Sequence, residues 1–137
     1  MLGEKLGELQ GQVTGQRYLP QVDGQPKTEV TFTTTGTIRG VSVTHSGTYA
    51  SVIRADGSLY GECPWQGVIM SQDGVVGTWG GAGVGKFTNQ QGAVSFRGAI
   101  YFKIPSGVLT ALNHVACIYE WEVDENGKAV GILWEWK

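Results

Sequence analysis

Charge is scarce in this chain. Asp, Glu, Lys and Arg make up 16% of its 137 residues, with a formal balance of −2. So low a charge content fits strands better than exposed helices, and the near-neutral balance gives no electrostatic footing for nucleic acid or an anionic membrane. No apolar run approaches the roughly 18 residues of a membrane-spanning helix. The opening M-L-G-E-K-L-G-E-L-Q lacks the apolar core of a signal peptide, and no N-x-S/T sequon occurs. Cysteine is limited to Cys63 and Cys117, which argues for free thiols in a reducing compartment rather than a disulfide scaffold. The expectation is a soluble cytoplasmic protein. The two histidines, His45 and His114, fall on opposite strand parities, and no Cys/His spacing suits zinc, so no metal and no cofactor is expected. The length is that of one domain.

What the chain has in quantity is glycine, 22 residues, concentrated between Gly77 and Tyr101. Gly80 to Lys86 fits G-x-x-x-x-G-K, the phosphate-loop pattern, but the next position is Phe87 where a magnesium-binding Ser or Thr belongs. The motif also needs a helix behind it. Instead the chain alternates: Val94, Phe96, Ile100 and Phe102 share one parity, Ser95, Arg97, Tyr101 and Lys103 the other. That is the period of a strand, and the glycines then read as bends and bulges of a curved sheet.

The run T-W-G-G-A-G-V-G-K-F, followed by Gly92 and V-S-F, resembles the glycine-rich hairpin of the allene oxide cyclase and dirigent barrels, over about 25 of 137 residues. The resemblance implies an eight-stranded antiparallel barrel with a central apolar cavity, often trimeric. It does not carry over catalysis. The cyclases have a Glu and an Asn near the start of strand one, followed by Ser-Pro, where this chain reads V-T-G-Q-R-Y-L-P.

Taken in order, residues 1–10 read as a frayed leader with Leu2, Leu6 and Leu9 in loose helical spacing, and residues 11–137 as one β domain. Strands are expected over Gln12–Leu19, Lys27–Ile38, Val41–Arg54, from Ser58, Val75–Phe87, Ala93–Ile104, Leu109–Val123 and Lys128–Trp136. Ala55-Asp56-Gly57 suggests a three-residue hairpin loop that pairs Arg54 with Ser58 and aligns Leu59, Gly61, Cys63 and Trp65 with the apolar face of the preceding strand. Pro64 marks a bulge or an edge. Asn126-Gly127 suggests a two-residue type I′ turn that sets Trp121 opposite Ile132, Tyr119 opposite Trp134 and Cys117 opposite Trp136. Eight strands in sequence order with almost no helix signal imply an all-β, mostly antiparallel up-and-down barrel with an apolar and aromatic interior. An open sandwich is the rival.

On these parities Tyr49, Trp79, Tyr119, Trp121 and Trp134 form aromatic walls, with Gly81, Gly83 and Gly85 leaving space opposite them. Arg17, His45 and Asn113 fall on the same inner faces and suggest a polar end to an apolar cavity, because a buried charge needs a partner. The plainer reading puts Arg17 and Asn113 at strand ends, in solvent. The expected function is binding of a small, apolar or amphipathic molecule carrying one polar or anionic group. A cyclase or isomerase using the same cavity, and an interaction protein with a filled core, are the alternatives. Ala99, Tyr101, Leu112, Ala116 and Ile118 form an outward apolar band and suggest a homo-oligomer, dimer or trimer.

Overall fold

A computed structural model describes residues 1–137 throughout. The strands are β1 Leu2–Val22, β2 Gln25–Ile38, β3 Val41–Ile53, β4 Leu59–Ser71, β5 Val76–Phe87, β6 Val94–Lys103, β7 Cys117–Val123 and β8 Lys128–Trp136; a 3-10 helix, Val108–His114, precedes β7. Each strand pairs antiparallel with its sequence neighbour, and β1 pairs with β8, so the eight close into an up-and-down barrel. The stretch Gly80–Lys86 lies inside β5 with ladders to β4 and β6 on either side, a barrel wall and not a phosphate loop. No helix is long and apolar enough to cross a membrane. Cys63 and Cys117 are buried free thiols.

The turns follow from local chemistry. Asp23-Gly24 and Arg39-Gly40 each place two successive residues at positive φ (50° and 75°, 49° and 77°), the two-residue geometry that matches strand twist. At Ala55-Asp56-Gly57 the Arg54 N–H donates to Ser58 O at 2.8 Å and Gly57 sits at φ 86°. Ile53 therefore faces Leu59, as read from the sequence.

Four local readings are corrected. The first ten residues are strand, not leader: Leu6 and Leu9 are 4% and 1% exposed, and the ladder to β8 begins at Leu2. A register shift between Lys5 and Gly7 lets two leucines three apart share the interior, which imitates helical spacing. The second half of the expected strand seven is β7, but its first half is the 3-10 helix. Leu109 and Leu112, eclipsed at a period of three, plug the barrel end there.

The β7–β8 loop has three residues, not two. Asp124 N–H donates to Lys128 O at 2.9 Å, Gly127 takes φ 83°, and Asp124 Oδ1 accepts from the N–H groups of Asn126 and Lys128. Trp121 thus faces Gly131, Tyr119 faces Leu133 and Cys117 faces Glu135, one residue away from the expected register. Last, Trp65 does not join the inward face of β4: the bulge expected at Pro64 is present, as a register shift between Cys63 and Gly67 with Trp65 at φ 57°. It turns Trp65 outward, so Cys63, Gly67 and Ile69 face inward.

Candidate functional site

The two ends of the barrel differ. One carries the β2–β3, β4–β5 and β6–β7 connections and is stoppered by Ile104, Leu109 and Leu112, all 5% exposed or less. Asn113, expected at the polar end of a cavity, works on the outside of this stopper. Its Nδ2 donates to Ile104 O at 2.9 Å and its Oδ1 accepts from Ile104 N–H at 2.7 Å, pinning the helix to the end of β6. The strand parity assigned to it fails because the segment is a 3-10 helix.

The other end is open. The pairing of β1 with β8 stops at Gln12↔Lys128, while its pairing with β2 runs on to Val22↔Gln25. A hairpin arm therefore stands above the rim. With the β5–β6 and β7–β8 loops it encloses a cup of about 360 Å³, lined by Val13, Tyr18, Val30, Ile53, Leu59 and Phe87 among others. Below the cup lies a cavity of about 70 Å³ lined by Leu9, Phe32, His45, Cys63, Trp79, Ile100, Tyr119, Trp121 and Leu133. Tyr49 and Phe96 line both spaces and meet edge to face, ring centroids 6.0 Å apart. The inner volume has room for about two waters at liquid density (roughly 30 Å³ each), but its wall is apolar, and cavities of that kind stay dry.

Of the eight residues singled out in the sequence, the barrel brings His45, Tyr49, Trp79, Tyr119 and Trp121 around this cavity. Three lie elsewhere. Asn113 is described above. Arg17 is outside: a bulge between Val13 and Gly15 reverses the parity of the rest of β1, and the guanidinium pairs with Glu29 at 2.8 Å in the open. Trp134 is also outside, flipped by the one-residue shift of β8, with its Nε1 donating to Glu120 Oε2 at 2.6 Å. The expected polar end with a cation for an anionic ligand is therefore not formed.

The glycines do not simply leave space. Gly67 and Gly47 form a notch for the Trp79 indole, which a Cβ at Gly67 would overlap. Gly83 is taken up by the Tyr119 hydroxyl and Gly85 by the Phe96 ring. Trp79 stacks on His45, centroids 4.5 Å apart and planes 11° off parallel, and Trp121 lies 4.6 Å from Phe32. Each indole N–H is engaged, Trp79 with Ser46 O at 3.1 Å and Trp121 with Tyr49 Oη at 3.3 Å.

His45 is the exception. It is 4% exposed, and neither ring nitrogen has a hydrogen-bond partner in the protein. Leaving a buried polar group unpaired costs about 1–3 kcal/mol. Burial brings its pKa down to about 3, so the imidazole is neutral. The same desolvation raises Tyr49, Tyr119 and the Cys63 thiol. Every titratable side chain with a shifted pKa on the cavity wall is held in its uncharged form.

Sequence reasoning did not single out Phe32, Phe96 and Ile100 as site residues, although their strand parity marks them as inward. The arm was not legible, because a bulge at Val13/Gly15 leaves no mark in composition or period.

The chain is similar in structure to three solved proteins. A β-barrel-like protein from Acinetobacter baumannii superposes with a TM-score of 0.81 at 11% identity, covering 100% of this chain and 96% of that one. A protein of unknown function from Clostridium acetobutylicum gives 0.80 at 12%, covering 98% of each. A conserved protein of unknown function from Rhodopseudomonas palustris gives 0.78 at 11%, covering 99% of each. At such identities the likeness shows the barrel fold. No protein-family model and no curated protein matches the chain.

Proposed function

We propose that the barrel binds a small, uncharged, mostly apolar molecule taken in through its open end. One observation carries this reading: an apolar inner cavity lies directly beneath an open cup, and the Tyr49 and Phe96 rings line both. At eight strands a barrel interior is either just filled by side chains or holds one small ligand. The inner cavity, at about 70 Å³, is under half the ~150 Å³ at which an apolar protein cavity takes up benzene. A larger ligand therefore requires those two rings to swing toward the cup, which joins the two spaces. The combined volume then falls in the range of small-molecule sites, roughly 300–1,000 Å³.

No Lys or Arg lines the inner cavity, so a carboxylate would enter without a counter-charge and a neutral ligand is favoured. A cyclase or isomerase role, the kind implied by the resemblance to allene oxide cyclases, needs an acid–base pair in reach of substrate. Burial moves His45 down to about 3 and Tyr49, Cys63 and Tyr119 up, all away from the near-neutral range in which a side chain transfers protons efficiently, which favours binding over catalysis.

Trp79 and Trp121 stand in the wall, so tryptophan emission reports occupancy. Octan-1-ol is expected to give a saturable change and octanoate a far weaker one, and Arg17→Ala is expected to alter neither. No saturable response to octan-1-ol or to shorter alcohols would leave the filled-core reading in its place.

A further inference from the structure

The two spaces of the site differ in chemistry. The inner cavity presents an almost wholly apolar surface, so an oxygen placed in it would go without a partner. The cup above presents polar and apolar surface together, and the polar part is gathered on the side of the arm. There the strand ladders run on past the end of β8. Tyr18 of β1 lies opposite Thr28 of β2, and Thr28 lies opposite Ser51 of β3. All three line the cup, so three hydroxyl-bearing residues form one cross-strand row, about 4.8 Å from strand to strand. Thr28 and Ser51 are half-buried, and their hydroxyls are left free for a ligand or water. Thr31 and Thr48, also opposite each other on β2 and β3, instead spend their hydroxyls on one another at 2.8 Å. Gln16, one row nearer the inner cavity, adds an amide to the same side. Across the cup stand Phe87, Val94, Phe96 and Val123, from β5, β6 and β7. The charged residues lining the cup are Asp124 and Glu125, both acidic.

We propose that this row holds the head of the ligand, and that the ligand is a neutral amphiphile. Its apolar tail points down past Tyr49 and Phe96, and its head carries two or more hydroxyl or carbonyl oxygens. The proposal rests on the ligand-binding reading above and adds the ligand's chemical class and orientation. A hydroxyl is one donor and two acceptor sites, so the row meets hydroxyl and carbonyl oxygens alike. An anionic head is refused, because the rim offers it two carboxylates and no cation.

Octan-1-ol and octane-1,2-diol share a tail and differ by one hydroxyl at the head. A second hydroxyl without a partner weakens binding, and one paired with the row does not. By calorimetry the diol is expected to bind the wild-type protein at least as tightly as octan-1-ol. In the double variant Thr28→Val, Ser51→Ala the diol is expected to lose about tenfold, on the scale of one neutral hydrogen bond, and to fall below octan-1-ol. 8-Bromooctan-1-ol carries a heavy atom at its tail. It is expected to quench the emission of Trp79 and Trp121, which line the inner cavity, beyond the change that octan-1-ol gives. A diol weaker than octan-1-ol in the wild type overturns the proposal and leaves the binding reading standing. A diol affinity that survives the double substitution does the same, and so does bromide binding without added quenching. Saturable binding of neither alcohol removes both. Should the double variant fail to fold, the wild-type affinities and the quenching decide by themselves.

Discussion

His45 holds its imidazole where a proton cannot follow. Desolvation alone lowers its pKa from 6.5 to about 3, and Phe32, Trp79 and Phe102 bring no charge to offset it. The sign of the linkage follows. Above pH 6.5 the group is neutral folded and unfolded, and pH has no leverage through it. Between 6.5 and about 3 the unfolded chain takes up a proton that the folded chain refuses, so stability falls as pH falls, by about 1.4 kcal/mol per unit. His45→Phe is expected to remove that part of the acid slope in urea unfolding measured at pH 7, 6 and 5. An unchanged slope would mean that the folded imidazole reaches solvent. That His45 is inward was legible from the alternation Val41, Val43, His45. Its lack of a partner was not, because strand parity alone puts Arg17 in the interior and only the bulge at Val13/Gly15 turns it out.

Among elements, β4 shows how one bulge sets the shape of the cavity. The register shift after Cys63 brings Gly67 under the Trp79 indole and puts Trp65 outside, where Lys103 Nζ lies 4.3 Å from its ring. A methyl group at Gly67 cannot coexist with Trp79 in its present place. Gly67→Ala is therefore expected to cost about 1–3 kcal/mol as an overpacked core does, read as a lower urea midpoint, together with a change in tryptophan emission. Wild-type stability and emission would show that the indole has room to move. The β7–β8 loop teaches the complementary lesson. Asn-Gly signals a hairpin but leaves the loop length open. Here the Asp124 carboxylate, accepting two backbone N–H groups, closes a three-residue loop and slips β8 by one. A slip of one residue reverses every side chain of a strand, which is why Trp134 left the interior and Leu133 entered it.

For the whole molecule, closure removes most strand edges and leaves the outer surface to decide association. The apolar band expected there is altered: Leu112 is fully buried as part of the stopper, while Tyr101, 49% exposed, lines a surface hollow with Trp65 and Val76, and exposed Met70 pairs with Val76. Exposed apolar surface of this kind accompanies interfaces. Sedimentation at high micromolar concentration is expected to show a dimer or trimer, and Tyr101→Lys to shift it toward monomer. A monomer at every concentration withdraws the homo-oligomer.

Local pattern determined most of this fold. Two-residue alternation and glycine turns are properties of neighbouring residues, so strand order, the glycine-rich wall and the inward set Phe32, His45, Tyr49, Trp79, Phe96 and Trp121 could be read from the chain alone. What only the closed barrel decided depends on partners far apart in sequence. Pairing of β1 with β8 made a strand of the first ten residues. Bulges in β1 and β4 moved Arg17 and Trp65 outside. An open cup came to lie above the inner cavity because β1 and β2 run past the end of β8. Single-residue shifts of this kind leave composition and period unchanged, and only the ladder on the neighbouring strand distinguishes one register from the next.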